Sequence, residues 1–237
     1  MSYEYSKNEK TLSLALSETL KSESVDCISE LAEVGLDSIL EEGLFKELPI
    51  ISTAVAIYKI GGSIKDRHNL KKLMVFLNEI NNGIVDEQKR QDYQQKFQSN
   101  DRFRNQEIEY LLVLIDRYIS YDKPQMLAKL YLAYLDGVIV WEELSMYSEI
   151  VDRFLLLDYN MLVSDSEEII VHKNIGGESV LRLVALGLMA EVIDTSTWIE
   201  EENGSYSMTW ATLEKAQTLD KTYKRTEFGE KLAQILR

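Results

Sequence analysis

Apolar residues recur at helical spacing along most of the chain. Leu12, Leu16 and Leu20 fall four apart, and Ile28, Leu31, Leu36, Ile39 and Leu40 continue a looser stripe. Residues 8–43 therefore predict one or two helices, with Ser22 to Ser24 placed to re-cap the second. Pro49 suits the first turn of another helix, where its missing N–H is not needed. From Leu48 to Tyr58 eleven consecutive residues are uncharged and mostly apolar, and Gly61-Gly62 closes that run. Ser63 can cap the next helix, and Asn81-Asn82-Gly83 is a C-terminal stop. Residues 84–106 are polar and glutamine-rich, which fits a solvated helix or a linker. From Glu107 the pattern sharpens: Ile108, Leu111, Leu112, Ile115 and Ile119 form one helical face. "DKPQ" at 122–125 stops that helix and caps a second, "MLAKLYLAYL". Asp136-Gly137 is a turn, and "WEELSMYSEIVDRFLLL" reads as a third helix.

After residue 163 the period shortens. "EEIIVHK" predicts a strand. "GESVLRLVALGLMAEVI" predicts a helix ending at Gly187 and then an extended segment. "TSTWIEEENGSYSMTW" alternates around Asn203-Gly204, a hairpin signal. "YKRTEFGEKLAQIL" predicts a strand and a helix capped by Thr226. The expected architecture is mainly α: a helical bundle with a small C-terminal winged-helix-like α+β module. Four regions follow: 1–83, N-terminal helices; 84–106, the polar linker or helix; 107–163, the bundle; and 164–237, the winged-helix-like module.

Composition fits this picture. The 237 residues include only two prolines and eleven glycines, so long helices outnumber tight turns. A 45% hydrophobic and 28% charged content is that of a folded chain. The single cysteine, Cys27, excludes a disulfide framework and a cysteine-rich zinc site. The opening residues "MSYEYSKNEK" lack the apolar region of a secretory signal, and no apolar run reaches the ~18–20 residues of a bilayer-spanning helix. A bacterial cytoplasmic protein is expected.

Charge excludes more than it assigns. The net charge is −14, which disfavours general affinity for nucleic acid. Over residues 160–237 there are 13 acidic and 8 basic side chains, and the prospective recognition helix, 178–188, offers only Glu178 and Arg182. A DNA reader needs a basic face, so nucleic acid is not an expected partner. Catalytic chemistry is also thin. His68 and His172 are far apart in sequence, and no phosphate loop, dinucleotide fingerprint or His-Glu-x-x-His is present. "IGGES" at 175–179 reads as a turn and helix cap. No catalytic residue, cofactor or metal ligand is assigned, and the chain is not expected to be an enzyme. "DGVIVWEEL" has the spacing of the second half of an EF-hand loop, but the first and third loop positions would be Leu132 and Tyr134, which supply no carboxylate for calcium.

The same stretch, "MLAKLYLAYLDGVIVWEEL" after a helix and "DKP", resembles the helical bundle of the tellurite-resistance TerB family over roughly residues 105–160, under a quarter of the chain. The family's acidic cluster implies a metal. Here only Asp136, Glu142 and Glu143 match it in kind, so none is expected. The whole layout is also similar to bacterial abortive-infection-alpha-type proteins: an apolar segment, a basic helix, a helical middle, and an end module with Leu186-Gly187-Leu188 and Tyr223, Thr226, Phe228 and Gly229. That resemblance implies a role in phage defence or stress response without an active site.

The candidate site is residues 48–73. Eleven helical residues span about 16 Å, half of a bilayer's apolar core of about 30 Å, so the segment cannot cross a membrane alone. Ile50, Ile51, Val55 and Ile57 do not fit one narrow stripe and need cover from protein or lipid. Lys59, Lys65, Arg67, Lys71 and Lys72 follow, against a single Asp66. A basic segment beside an apolar one is suited to an anionic membrane surface or an acidic partner. The first 48 residues hold 11 acidic and 4 basic side chains, so this arm could cover the basic helix until a trigger displaced it. The expected function is a non-enzymatic bacterial defence or stress-response protein. It would act through protein contacts or self-association, with conditional peripheral membrane association through 48–73. The alternative is an interaction scaffold with no membrane role.

Overall fold

Helices form where the 3.6-residue period is sustained, and strands where it breaks. The computed structural model describes residues 15–16, 53, 64–83, 88, 91, 95, 99, 101–166, 168–171, 177–192, 199–200, 206–207 and 221–237. Among these are α1 (Ile64–Gly83), α2 (Asp101–Arg117), α3 (Asp122–Leu135), α4 (Trp141–Arg153), α5 (Leu156–Leu162), α6 (Glu178–Ala185) and α7 (Glu227–Leu236). The strands are β1 (Glu168–Val171), β2 (Met189–Glu191), β3 (Ile199–Glu200), β4 (Tyr206–Ser207) and β5 (Lys221–Arg225). The protein is thus mainly helical with a small antiparallel sheet. The chain divides into two compact units, Met1–Asp152 and Arg153–Arg237. The acidic arm and the apolar run 48–58 lie outside the described residues, apart from the buried Ala15 and Leu16 and the half-buried Thr53.

In the first unit α1 lies along α3 and also touches α2. Its inner side is Leu70, Leu73, Met74, Phe76, Leu77 and Ile80, all buried. They meet a core that includes Ile108, Leu111, Leu114 and Ile115 of α2, Leu127, Leu130 and Tyr131 of α3, and Leu144, Tyr147 and Val151 of α4. Side-chain bonds tie α2 and the residue just after it to α4: the Tyr110 and Tyr118 hydroxyls reach the Ser145 and Ser148 carbonyls. Burial pushes the Tyr147 phenol up to about 12. The stripe predicted from Ile108 to Ile119 is cut short. The helix ends at Arg117, and Ile119 stands 86% exposed in the following loop.

The α3–α4 turn has the residues its geometry demands. Gly137 sits at φ +71°, which a side chain would strain. Its N–H donates to the Tyr134 carbonyl and that of Val138 to Ala133, so the last carbonyls of α3 are satisfied. Glu143 accepts from the Val140 N–H at 3.0 Å, holding the first turn of α4.

The long third helix predicted through Leu157 is two helices. The chain is extended at Leu155 (φ −95°, ψ 156°), and the Asp158 carboxylate accepts from the Leu155 N–H at 3.0 Å. That bond gives α5 its own N-terminus, a signal that the continuous apolar pattern conceals.

In the second unit α5 packs on α6. The sheet order is β1-β5-β2, all antiparallel, with Ile169 opposite Tyr223 and Ala190 opposite Lys224. The Val192 N–H donates to the Thr222 carbonyl at 2.8 Å, extending the β2–β5 pairing by one bond. Between β2 and β5 in sequence, β3 pairs with β4 in a separate two-stranded sheet. The core is Leu162, Val180, Leu183, Leu188, Met189, Tyr223, Leu232, Ala233 and Leu236.

Two sequence fragments 39 residues apart close this unit. Gly187 ends α6 at φ +73°, with its own N–H on Val184 and the Leu188 N–H on Leu183. The Leu188 carbonyl accepts from the Thr226 N–H at 3.0 Å, and the Thr226 hydroxyl donates to the Gly187 carbonyl at 2.8 Å. The same hydroxyl oxygen accepts from the Gly229 N–H, capping α7. Gly229 lies so close to Leu188 that a Cβ there would be 2.0 Å from the Leu188 carbonyl oxygen. Alanine normally favours a helix interior over glycine by about 1 kcal/mol. Here the order is expected to reverse. Gly229→Ala should lower unfolding stability by about 2 kcal/mol through backbone displacement, and Thr226→Ala by about 1 kcal/mol through loss of the cap. Urea denaturation checks both, and an unchanged Gly229→Ala midpoint would contradict the close approach.

Candidate functional site

On α1, residues 65, 68, 69 and 72 recur at three- and four-residue spacing and share a face. That face meets the end of α2 and the loop after it. The Lys72 ammonium donates to the Asp116 carbonyl at 2.9 Å and to the Tyr118 carbonyl at 2.6 Å. A helix end leaves its last carbonyls unpaired and carries partial negative charge, and this lysine answers both needs. Burial lowers the Lys72 pKa, opposed in part by the Asp116 carboxylate. Lys65 reaches the Asp116 carboxylate at 3.2 Å, and the Asn69 amide donates to its other oxygen.

His68 completes the grip. Its Nε2 lies 2.8 Å from the Ile119 carbonyl, which can only accept, so Nε2 carries a proton. Its Nδ1 lies 2.8 Å from the Tyr121 hydroxyl, which donates to it when the ring is neutral. Lys71 Nζ stands 4.6 Å from the centre of the Tyr121 ring, a cation–π distance.

The predicted basic residues therefore divide. Lys65, Arg67 and Lys71 are exposed on α1. Lys72 is 1% exposed and belongs to the packing of α1 on α2, not to an outward basic face. In sequence it is one of four cations in eight residues, with nothing to set it apart. Its partners are main-chain carbonyls, which leave no trace in sequence. Lys59, Ile50, Ile51, Val55 and Ile57 lie outside the described residues. His68, Asp116 and Tyr121 join the site although sequence reasoning passed over them. The helical spacing of 65, 68, 69 and 72 was the one available signal.

Other charged groups are also used internally. Lys123 donates to the Asp152 carbonyl at the end of α4, and burial lowers its pKa. Arg117 forks to Glu149 at 3.1 Å and to Asp152. Arg182, the lone basic residue of α6, holds Asp158 through both carboxylate oxygens, at 2.7 and 2.9 Å, and also touches the Ser179 hydroxyl. The outer side of α6 then presents Glu178, Leu181 and Ala185. Burial alone would raise the Asp158 carboxyl, but the Arg182 guanidinium, the Leu155 N–H and Ser179 carry it below its ordinary value.

Glu107 is buried beside the Tyr134 hydroxyl at 2.7 Å, and Trp141 packs edge-on against Tyr110 and Tyr134. This cluster fills space between α2, α3 and α4. Among the described residues no group of three or more His, Cys, Asp or Glu is placed to hold a metal ion, and no helix is long and apolar enough to cross a membrane. The exposed cations beside an exposed aliphatic and aromatic loop can attract an anionic surface. No family model matches the chain, and neither a curated protein nor a solved structure matches it.

Replacing Lys72 by Met keeps the aliphatic stem but strands two main-chain carbonyls. It should cost about 2 kcal/mol, whereas Lys71→Met should stay within about 0.5 kcal/mol; chemical denaturation separates them. Asp158 generates a pH prediction. Because its folded pKa is depressed, its contribution is complete above the unfolded value of about 3.9 and is lost as pH falls through the folded pKa. Asp158→Asn should therefore be less stable than wild type at pH 7, by about 2 kcal/mol after allowance for the partly exposed Arg182. The two stability curves should converge toward pH 2.

Proposed function

We propose that this chain is a non-enzymatic bacterial defence or stress-response protein that acts through protein contacts and associates conditionally with an anionic membrane through residues 48–73. The observation that carries the membrane part is the two-sidedness of α1. Its apolar side and Lys72 are committed to the fold and Lys65 is paired with Asp116, while Arg67 and Lys71 are exposed on α1, with Lys71 over the Tyr121 ring. A cationic helix face of this kind is attracted to acidic headgroups, about 1 kcal/mol per cation near the surface. The defence or stress assignment rests on the resemblances of residues 105–160 and of the end pieces described above. For the C-terminal unit, the order β1-β5-β2 with α6 between β1 and β2, and a hairpin between β2 and β5, supports a winged-helix-like module. The commitment of Arg182 to Asp158 favours using that module for protein contacts rather than DNA. The packing of α1 with α2 and α3 supports a helical bundle.

A second reading, an interaction scaffold without a membrane role, is favoured by the leucines of the second unit: Leu155, Leu156, Leu157 and Leu181 are all more than half exposed. Flotation with liposomes distinguishes the two. The protein is expected to float with vesicles containing phosphatidylserine and not with neutral ones, to lose this in Arg67→Glu/Lys71→Glu, and to lose it again as salt is raised. Lys72 is left intact so that the fold is preserved. Failure of the wild type to float with acidic vesicles at low salt would discard the membrane part and leave the scaffold.

A further inference from the structure

We infer that the α2–α3 loop is a second membrane-contacting element, in which Ile119 enters the interface of an anionic bilayer while the cations of α1 engage its headgroups. The inference rests on the proposed membrane association and adds to it a contact outside residues 48–73.

Ile119 has the highest exposure of any large hydrophobic residue among those described. An isoleucine in a loose loop would be expected to fold back onto nearby apolar surface. Here the main chain around it is held on both sides. Lys72 takes the Tyr118 carbonyl, His68 takes the carbonyl of Ile119 itself, and His68 also binds the Tyr121 hydroxyl. With its carbonyl turned to α1 and its neighbours tied down, the Ile119 side chain is presented to solvent in a fixed place. The supporting shell is polar and specific, the arrangement that a positioned contact residue requires.

The surroundings match an acidic lipid surface. Of the cations nearby, Lys72 and Lys123 donate to main-chain carbonyls, Arg117 is paired with Glu149 and Asp152, and Lys65 is paired with Asp116, so the charge offered to headgroups is that of the exposed Arg67 and Lys71 of α1. Asp116 is held by Lys65 and Asn69, which offsets its charge. Tyr121, under the Lys71 ammonium, is an aromatic of the type enriched at the headgroup level. A lone aliphatic tip flanked by cations suits a bilayer better than a protein. A stable protein interface buries about 800 Å² on each partner, and this loop offers one aliphatic side chain rather than an apolar groove.

The test uses the full chain with vesicles of phosphatidylcholine alone and of phosphatidylcholine with phosphatidylserine, comparing wild type, Ile119→Asn and Ile119→Trp by flotation. Because the side chain is exposed, circular dichroism melts should be unchanged. Ile119→Asn is expected to weaken partitioning into acidic vesicles about fivefold, as loss of a partly buried aliphatic predicts. Ile119→Trp should bind at least as well as wild type, and the emission it adds should be quenched by brominated acyl chains. If Ile119→Asn floats as well as wild type while Arg67→Glu/Lys71→Glu does not, the loop contact is overturned and the basic-helix reading survives. If wild type fails to float with acidic vesicles, both are overturned.

Discussion

Helix ends govern this structure. Each helix stops with carbonyls that have no partner in their own backbone and with partial negative charge. In this chain several are satisfied by a cation supplied from elsewhere. Lys72 of α1 serves the end of α2, and Lys123 of α3 serves the end of α4. Arg225 and Arg237 serve the end of α5 through the Leu162, Val163 and Ser164 carbonyls. The two lysine contacts join one helix to the end of another, and Arg225 joins strand β5 to the end of α5. With 26 basic residues against 40 acidic ones, basic side chains are scarce, and several lie inside the fold. That scarcity gives the exposed Lys65, Arg67 and Lys71 their weight on α1.

The same economy explains how charge is read in the C-terminal unit. A helix following a strand and preceding a hairpin invites comparison with nucleic-acid readers, yet the cation on α6 is turned to Asp158. The pair is anchored at both ends: Asp158 also caps α5, and Ser179 supports the guanidinium. What α6 shows to solvent is aliphatic and acidic. Within this unit the exposed leucines at the start of α5 add to an apolar character that suits contact with another protein surface.

Much of the secondary structure was legible in sequence because it rests on local chemistry. Gly137 and Gly187 announce helix ends through their conformational freedom, Thr226 announces a helix start through its hydroxyl, and the alternating residues around Asn203-Gly204 anticipated the paired β3 and β4. The errors share a cause. Ile119 fits the helical face of Ile108, Leu111 and Ile115, but Lys72, 47 residues away, binds the carbonyls where the helix ends before it. Leu155 to Leu157 extend an apolar run, but Asp158 begins a new helix beneath it. Lys72 resembles its neighbours in composition and differs from them only in what lies opposite. The candidate site was legible as a cluster of charge, and its division into buried and exposed members was not, because periodicity does not encode which carbonyl needs a donor.

The bond from Val192 to Thr222 has a topological consequence. It brings the two ends of the intervening segment, residues 193–220, to neighbouring points on one sheet. The entropic cost of closing a loop rises only slowly with its length, and that length is not fixed by the strands it joins. The segment can therefore be lengthened or shortened without changing the register of β2 on β5. The pairing of β2 with β5 and the length of the segment between them are thus independent variables of the unit.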